Sequence, residues 1–68
     1  MATKTYKQGV TNEMQDAFAM KYGIAYLLED TRDFNRPTVL TSEEKTVDEY
    51  KRDGYKLRGF IRAADFGY

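Results

Sequence analysis

The sequence predicts a small α+β domain with the element order β-α-β-β-α-β. Two segments have the spacing and the end signals of helices, and they alternate with short runs of β-branched, aliphatic and aromatic residues. With 68 residues, the chain is expected to form a single domain over residues 1–68. Because it contains no Cys and no His, the fold is expected to depend on its own apolar core or on a core shared with a second copy, and six Tyr and four Phe can contribute to it.

The first two elements are predicted to be a strand and a helix. Residues 3–10 alternate weakly between polar and apolar types, which indicates a strand with a bulge at Gly9. The helix begins after a cap formed by Thr11 or Asn12, and Gly23 ends it, because glycine commonly follows the last helical turn. The helical spacing places four apolar residues on its inward face: Met14, Ala17, Phe18 and Tyr22.

The apolar run at residues 24–28 has two interpretations. It can continue the first helix through Gly23, or it can form a buried central strand. We favour the strand, because a glycine inside a helix costs about 1 kcal/mol relative to alanine. The polar residues 29–37 suit a hairpin connection, and Pro37 can open a strand over residues 38–41, where its missing N–H group does little harm.

A second helix is predicted after Thr41, which has Glu44 at the spacing of a capping box. The helix runs to about Arg52, with Val47 and Tyr50 on its inward face.

The last strand is predicted over residues 55–63, after Gly54 ends the second helix. Alternation places its side chains on two faces of the sheet. The inward set is Tyr55, Leu57, Gly59 and Ile61, and the outward set is Lys56, Arg58, Phe60 and Arg62. Together the elements predict a ferredoxin-like sandwich, with both helices on one face of an antiparallel sheet. If residues 3–10 are not a strand, the alternative is a three-stranded sheet with two helices.

The residue types argue against an enzyme. Without His and Cys, the chain lacks the commonest general base and the thiol nucleophile, and its sole serine, Ser42, lies near a helix start. The five glycines are dispersed, so no phosphate-binding loop and no cofactor are predicted. Residues 30–36 contain oxygen ligands, but they lack the spacing and the central glycine of an EF-hand calcium loop, and no metal site is predicted.

The outward set of the last strand is the main candidate for binding a partner. It combines Lys56, Arg58 and Arg62 with Phe60, and arginine and aromatic residues are common anchors of protein interfaces. The same residue types can stack on and neutralise single-stranded nucleic acid, although the net charge of the chain is zero. A purely structural interpretation is an edge strand whose charges prevent aggregation.

Other segments offer further candidates. Phe34, in a polar turn, and Phe66 and Tyr68, in the tail, are large side chains that either pack on the core or contact a partner. The acidic residues of the second helix form either a solvated face or a patch for a basic partner: Glu43, Glu44, Asp48 and Glu49.

We therefore expect a small non-catalytic protein-binding module, a regulator or inhibitor of a larger protein, of a kind frequent among accessory proteins of bacteria and phages. The alternatives are a weak binder of single-stranded nucleic acid and a structural homo-oligomer, such as a homodimer, formed through the last strand. The first ten residues lack the apolar stretch of a signal peptide, and residues 24–28 are too few to cross a bilayer. We accordingly expect a cytoplasmic location and no membrane partner.

Overall fold

Four strands and two helices account for most of residues 2–7, 9–33 and 35–66, the part of the chain that the computed structural model describes. The strands are β1 (Thr3–Tyr6), β2 (Ile24–Glu29), β3 (Thr38–Thr41) and β4 (Lys56–Arg62). The helices are α1 (Asn12–Tyr22) and α2 (Glu44–Arg52), and a 3-10 helix over Ala63–Phe66, which the sequence did not predict, ends the described chain. The chain order β-α-β-β-α-β and the α+β class agree with the prediction.

The strands form one antiparallel sheet in the order β1-β3-β2-β4. The three-stranded alternative is wrong, because β1 pairs with β3 along its whole length, from Thr3 opposite Thr41 to Tyr6 opposite Thr38. The ferredoxin-like arrangement is not confirmed. In that arrangement the last strand lies beside the first, whereas here β4 pairs with β2 at the opposite edge of the sheet.

The two helices pack on opposite faces of the sheet, and the prediction that they share a face is wrong. Alternate residues of β2 separate the two sides: Ala25 and Leu27 pack with the cluster of α1, whereas Tyr26 and Leu28 pack with the cluster of α2. All four residues of β3 are buried, because both of its faces are covered. The protein is therefore a three-layer sandwich with the sheet in the middle.

The handedness of the two strand–helix–strand crossovers explains why the helices lie on opposite faces of the sheet. Since β1 and β2 are both antiparallel to β3, they are parallel to each other, and α1 is the crossover between them. By the same reasoning β3 and β4 are parallel, and α2 joins them. Both crossovers move in the same direction across the sheet, but they start from strands that point in opposite directions. Two right-handed crossovers then place their helices on opposite faces.

Local signals set the ends of α1. Thr11 is the N-cap: its Oγ1 accepts a hydrogen bond from the Met14 N–H at 3.2 Å, and the Thr11 N–H donates to the Met14 sulfur at 3.4 Å. At the other end Gly23 has φ +92°, and its N–H donates to the Ala19 carbonyl at 2.7 Å. This left-handed residue ends the helix and turns the chain into β2. The interpretation of residues 24–28 as a central strand is confirmed.

The start of α2 differs from the prediction. The N-cap is Glu43, without a side-chain capping bond, so the predicted capping box between Thr41 and Glu44 is wrong. Thr41 is fully buried at the end of β3, where its Oγ1 lies 3.1 Å from the hydroxyl of Thr3 and accepts the Glu43 N–H at 3.2 Å. The hydroxyl thus connects β1 and β3 to the turn that precedes the helix.

Two small apolar clusters stabilise the two interfaces with the sheet. The buried cluster on the α1 side consists of Phe18, Ala19, Ala25 and Leu40. The buried cluster on the α2 side consists of Leu28, Val39, Val47 and Tyr55. The predicted inward face of α1 is wrong in part, because its buried residues are Gln15, Phe18 and Ala19, whereas Ala17 and Tyr22 are exposed. The predicted inward positions Val47 and Tyr50 of α2 are confirmed.

Because the clusters lie on opposite faces of the sheet, Phe18→Leu and Val47→Ala should destabilise the protein independently. We expect each substitution to lower the free energy of unfolding by about 1–3 kcal/mol. In the double variant the two losses should add to within about 0.5 kcal/mol, as measured by urea denaturation. The comparison pair is Val47→Ala with Leu57→Ala, since both residues belong to the α2 side. If the coupling energy between Phe18→Leu and Val47→Ala were as large as that between Val47→Ala and Leu57→Ala, the two-cluster description would be contradicted.

Candidate functional site

An exposed aromatic ring lies near the middle of the edge strand β4. Phe60 is 53% exposed, although it stands within the strand and pairs with a residue of β2. Phe60 stands opposite Tyr26 in the sheet register, and their ring centroids are 5.9 Å apart at an angle of 45°. The Tyr26 ring therefore supports Phe60 from the neighbouring strand, an arrangement typical of favourable aromatic pairs.

Tyr26 also connects this aromatic pair to α2. Its hydroxyl donates a hydrogen bond to Glu44 Oε1 at 3.4 Å. Burial, and secondarily the negative charge of Glu44, raises the pKa of Tyr26 above its ordinary value of 10.0, so the hydroxyl remains a donor at neutral pH. Arg62 stands opposite Ile24, two residues from Tyr26, so it lies on the same side of the sheet, and its positive charge acts on the pKa of Tyr26 in the opposite direction.

A β-bulge divides the predicted outward set of β4. Leu27 pairs with Gly59 and Leu28 pairs with Leu57, so Arg58 is an extra residue without its own partner. After the bulge the alternation is shifted by one residue. Consequently Leu57 packs on the α2 side and Ile61 on the α1 side, although strict alternation predicted a common face for them.

The basic residues are therefore distributed rather than gathered on one face. Phe60 and Arg62 share the α2 side with Tyr26, whereas Lys56 stands opposite Glu29 and points to the α1 side. Arg58 is the extra residue of the bulge: it lies within β4 but has no partner residue on β2. The predicted grouping of Lys56, Arg58, Phe60 and Arg62 on a single face is wrong, because a one-residue insertion changes the side of the residues beyond it. All four side chains are nonetheless exposed along the same edge of the sheet.

Carboxylates accompany two of these basic residues. Arg58 Nε lies 3.7 Å from Glu29 Oε2, and Arg62 Nη2 lies 3.8 Å from Asp65 Oδ1. Both pairs are solvent-exposed, and ion pairs of this kind contribute little to stability. They can open when a partner with its own carboxylates approaches. The sequence did not indicate either pair, since Glu29 is distant in the chain and Asp65 lies in the unpredicted 3-10 helix.

The remaining aromatic candidates are only partly described. Phe34 and Tyr68 lie outside the described residues. Phe66 ends the 3-10 helix with 41% of its side chain exposed, and this helix contacts α1. A backbone hydrogen bond of 2.9 Å from Ala63 N–H to the Gly23 carbonyl joins the start of the 3-10 helix to the end of α1.

The acidic residues of α2 and its cap do not converge on one another. Glu44 accepts the hydrogen bond from Tyr26, and Glu43 Oε2 accepts one from the Thr46 hydroxyl at 3.5 Å. Asp48 and Glu49 are exposed. A basic partner for this helix stays a prediction.

The loop between β2 and β3 is held by Arg36, which the sequence did not single out. Its Nη1 donates to Asp30 Oδ2 at 3.0 Å and to the Asp53 carbonyl at 2.8 Å, and its Nη2 contacts Asp53 Oδ2. The guanidinium centre lies 4.4 Å from the centroid of the Tyr55 ring, a cation–π distance. Arg36 therefore joins the β2–β3 loop to the turn before β4. No sequence signal predicts this contact, because Asp53 and Tyr55 belong to a distant turn.

Comparison with known proteins found no matching family model, no matching curated protein and no matching solved structure. Across the described ranges, no group of three or more Asp or Glu side chains is arranged to hold a metal ion. In the same part of the chain, neither helix has the length and apolar character needed to span a membrane.

Replacing Arg36 with alanine should lower the thermal midpoint by several degrees, because it removes the link between two distant turns and the contact with the Tyr55 ring. Arg36→Lys should restore little of the loss, since an ammonium group cannot form the forked contacts. The matched control is Arg32→Ala, which alters an exposed guanidinium in the same loop. Circular dichroism melts measure the effect, and equal melting of the Arg36 and Arg32 variants would contradict this role.

Asp30 should make stability depend on pH. The Arg32 N–H, and to a smaller extent Arg36, hold the pKa of this carboxyl below its ordinary value of 3.8. Since the folded state favours the ionised form, its contribution is present above the ordinary value and is lost as pH falls through the folded pKa. We expect Asp30→Asn to be less stable than the wild type at neutral pH and to approach it below about pH 3.8. If the difference in urea midpoint between Asp30→Asn and the wild type stayed constant from neutral pH to below pH 3.8, ionisation of Asp30 would not be the cause of the difference in stability.

Proposed function

We propose that the protein is a non-catalytic binding module that recruits another protein through the β4 surface, which consists of Tyr26, Phe60, Arg58 and Arg62. The observation that carries this proposal is the exposure of Phe60. A large aromatic residue that is more than half exposed within a strand keeps apolar surface in contact with water, which is unfavourable in the free protein. Burial against a partner would recover that free energy.

The geometry of the surface suits an interface anchor. Phe60 contacts Tyr26, which is itself held by β2 and by its hydrogen bond to Glu44. Rings that are positioned before binding lose little conformational freedom in the complex. Tyrosine, phenylalanine and arginine are also the residue types that interfaces favour.

Charge and backbone define the class of partner. Arg62 shares the side of the aromatic ring, and Arg58 is exposed at the bulge on the same edge of the sheet, so the matching surface carries carboxylates beside an apolar pocket. The outer edge of β4 pairs with no other strand in the described part of the chain. An extended segment of the partner can therefore add to this edge by backbone hydrogen bonds. Regulation or inhibition of a larger protein is the role that we propose, and a bacterial or phage context and a cytoplasmic location stay predictions from size and composition.

The central test is the affinity of a partner for Phe60→Ala. After affinity capture with the intact protein and purification of the captured partner, calorimetry should show that Phe60→Ala weakens binding by about 30-fold, the loss expected of an anchor worth about 2 kcal/mol. Arg62→Glu should weaken it as well, by opposing the carboxylates of the partner. The matched control is Met20→Ala, since Met20 is 54% exposed and belongs to α1, which packs on the face of the sheet opposite to Phe60.

Three results would contradict the proposal. Equal loss in the Met20 control would show that exposed apolar area, rather than this surface, determines binding. Binding to a single-stranded oligonucleotide that weakens steeply with salt and depends on Arg58 and Arg62 would favour a nucleic-acid function. A dimeric mass in sedimentation that Phe60→Ala reduces to a monomer would favour a structural homo-oligomer.

A further inference from the structure

We infer that a second site, the β1 groove, docks an extended acidic peptide between β1 and α1. The groove lies on the face of the sheet that α1 covers, at the edge opposite β4, and its volume is about 300 Å³. The residues that carry the inference are Lys4 and Tyr6 of β1 together with Phe18, Lys21 and Tyr22 of α1. None of them belongs to the β4 surface.

Aromatic rings form an apolar lining that is anchored in the core. Phe18 is only 7% exposed and belongs to the buried cluster, whereas Tyr22 is 43% exposed. Their ring centroids are 4.6 Å apart, and Tyr6 packs against the same cluster from the sheet. The lining is therefore packed against the α1-side cluster through Phe18 and exposed to solvent at Tyr22. Its size fits one apolar side chain of a bound peptide.

Two lysines give the groove its preference for negative charge. Lys4 Nζ lies 5.9 Å from the centroid of the Tyr6 ring, and Lys21 Nζ lies 5.3 Å from that of Tyr22. Within the described part of the chain, neither lysine forms an ion pair and no acidic residue lines the groove. The charge complement is consequently a ligand that supplies carboxylates beside an apolar group.

The backbone of β1 supplies the means of alignment. One edge of β1 pairs with β3, and its other edge has no paired strand in the described structure. A peptide that adds to this edge in extended form would direct every second side chain towards the α1 face, where Lys4 and Tyr6 also point. Acidic and apolar residues placed two positions apart, with neutral residues between them, would then point to this face together and reach the lysines and the aromatic lining.

A second copy of the protein fits this edge poorly. Pairing β1 with another β1 brings Lys4 towards its counterpart, and pairing β1 with β4 opposes Lys4 with the basic residues of that strand. Like charges across a strand pair are destabilising. Of the eleven acidic residues, all within the described ranges, Glu29 alone lies in a strand, and that strand, β2, is already paired on both of its edges. An acidic peptide of another protein is therefore the occupant to which we commit.

The test is a titration, followed by NMR, of the isotope-labelled protein with a short blocked peptide in which glutamate and isoleucine take turns at every second position and threonine fills the positions between them. We expect the amide signals of β1 and of the groove-facing residues of α1 to shift, while those of β4 stay in place. Lys4→Glu should weaken binding by about tenfold, because it replaces an attraction with a repulsion. The matched control Lys45→Glu reverses an exposed charge on α2 and should leave the affinity unchanged.

Two control peptides separate charge from strand addition. The same peptide with lysine in place of glutamate should not bind, and N-methylation of alternate amides should abolish binding if the backbone pairs with β1. Phe60→Ala should bind the acidic peptide normally, so failure of this inference is distinguishable from failure of the β4 surface. No shifts in β1 and α1, shifts confined to β4, or equal binding of the lysine peptide would overturn the inference. Peptide-independent dimerisation in sedimentation that Lys4→Glu abolishes would instead assign the groove to a second copy.

Discussion

The two central strands carry both hydrophobic clusters of the protein, and the rest of the structure depends on this double use. Alternate side chains of β2 and β3 enter opposite layers, so that Leu28 and Val39 pack under α2 while Ala25 and Leu40 pack under α1. In a chain of 68 residues this arrangement lets one short sheet serve two interfaces, where a single interface would bury less apolar area. Substitutions in these strands consequently affect both layers through the shared backbone.

Covering both faces leaves the two edges of the sheet as its accessible parts. The β4 edge presents an aromatic pair with arginines beside it, and the β1 edge presents a groove with two lysines. Both edges are thus basic, which opposes edge-to-edge association of copies and favours acidic partners. In the binding roles that we propose, the same positive charge along the unpaired strands opposes self-association and attracts acidic partners.

Polar contacts stabilise the turns, where the apolar clusters do not reach. Arg36 connects two loops through Asp30, Asp53 and the Tyr55 ring, and the Tyr55 hydroxyl donates to the Pro37 carbonyl at 2.8 Å. Thr41 joins two strands to the start of α2. In a chain without cysteine, these contacts orient the connections on either side of β3.

By itself, the sequence determined the order of the main elements, because caps, glycine positions and periodicity act over a few neighbouring residues, and it predicted the exposure of the β4 candidates Lys56, Arg58, Phe60 and Arg62. Thr11 and Gly23 delimit α1, and the run after Gly23 is a strand, as their local chemistry requires. Only the tertiary structure decided the strand order, the opposite placement of the helices and the bulge at Arg58. These features depend on which strands pair and on crossover handedness, so strict alternation along β4 could not show that Phe60 would leave the side of Lys56 and join that of Tyr26.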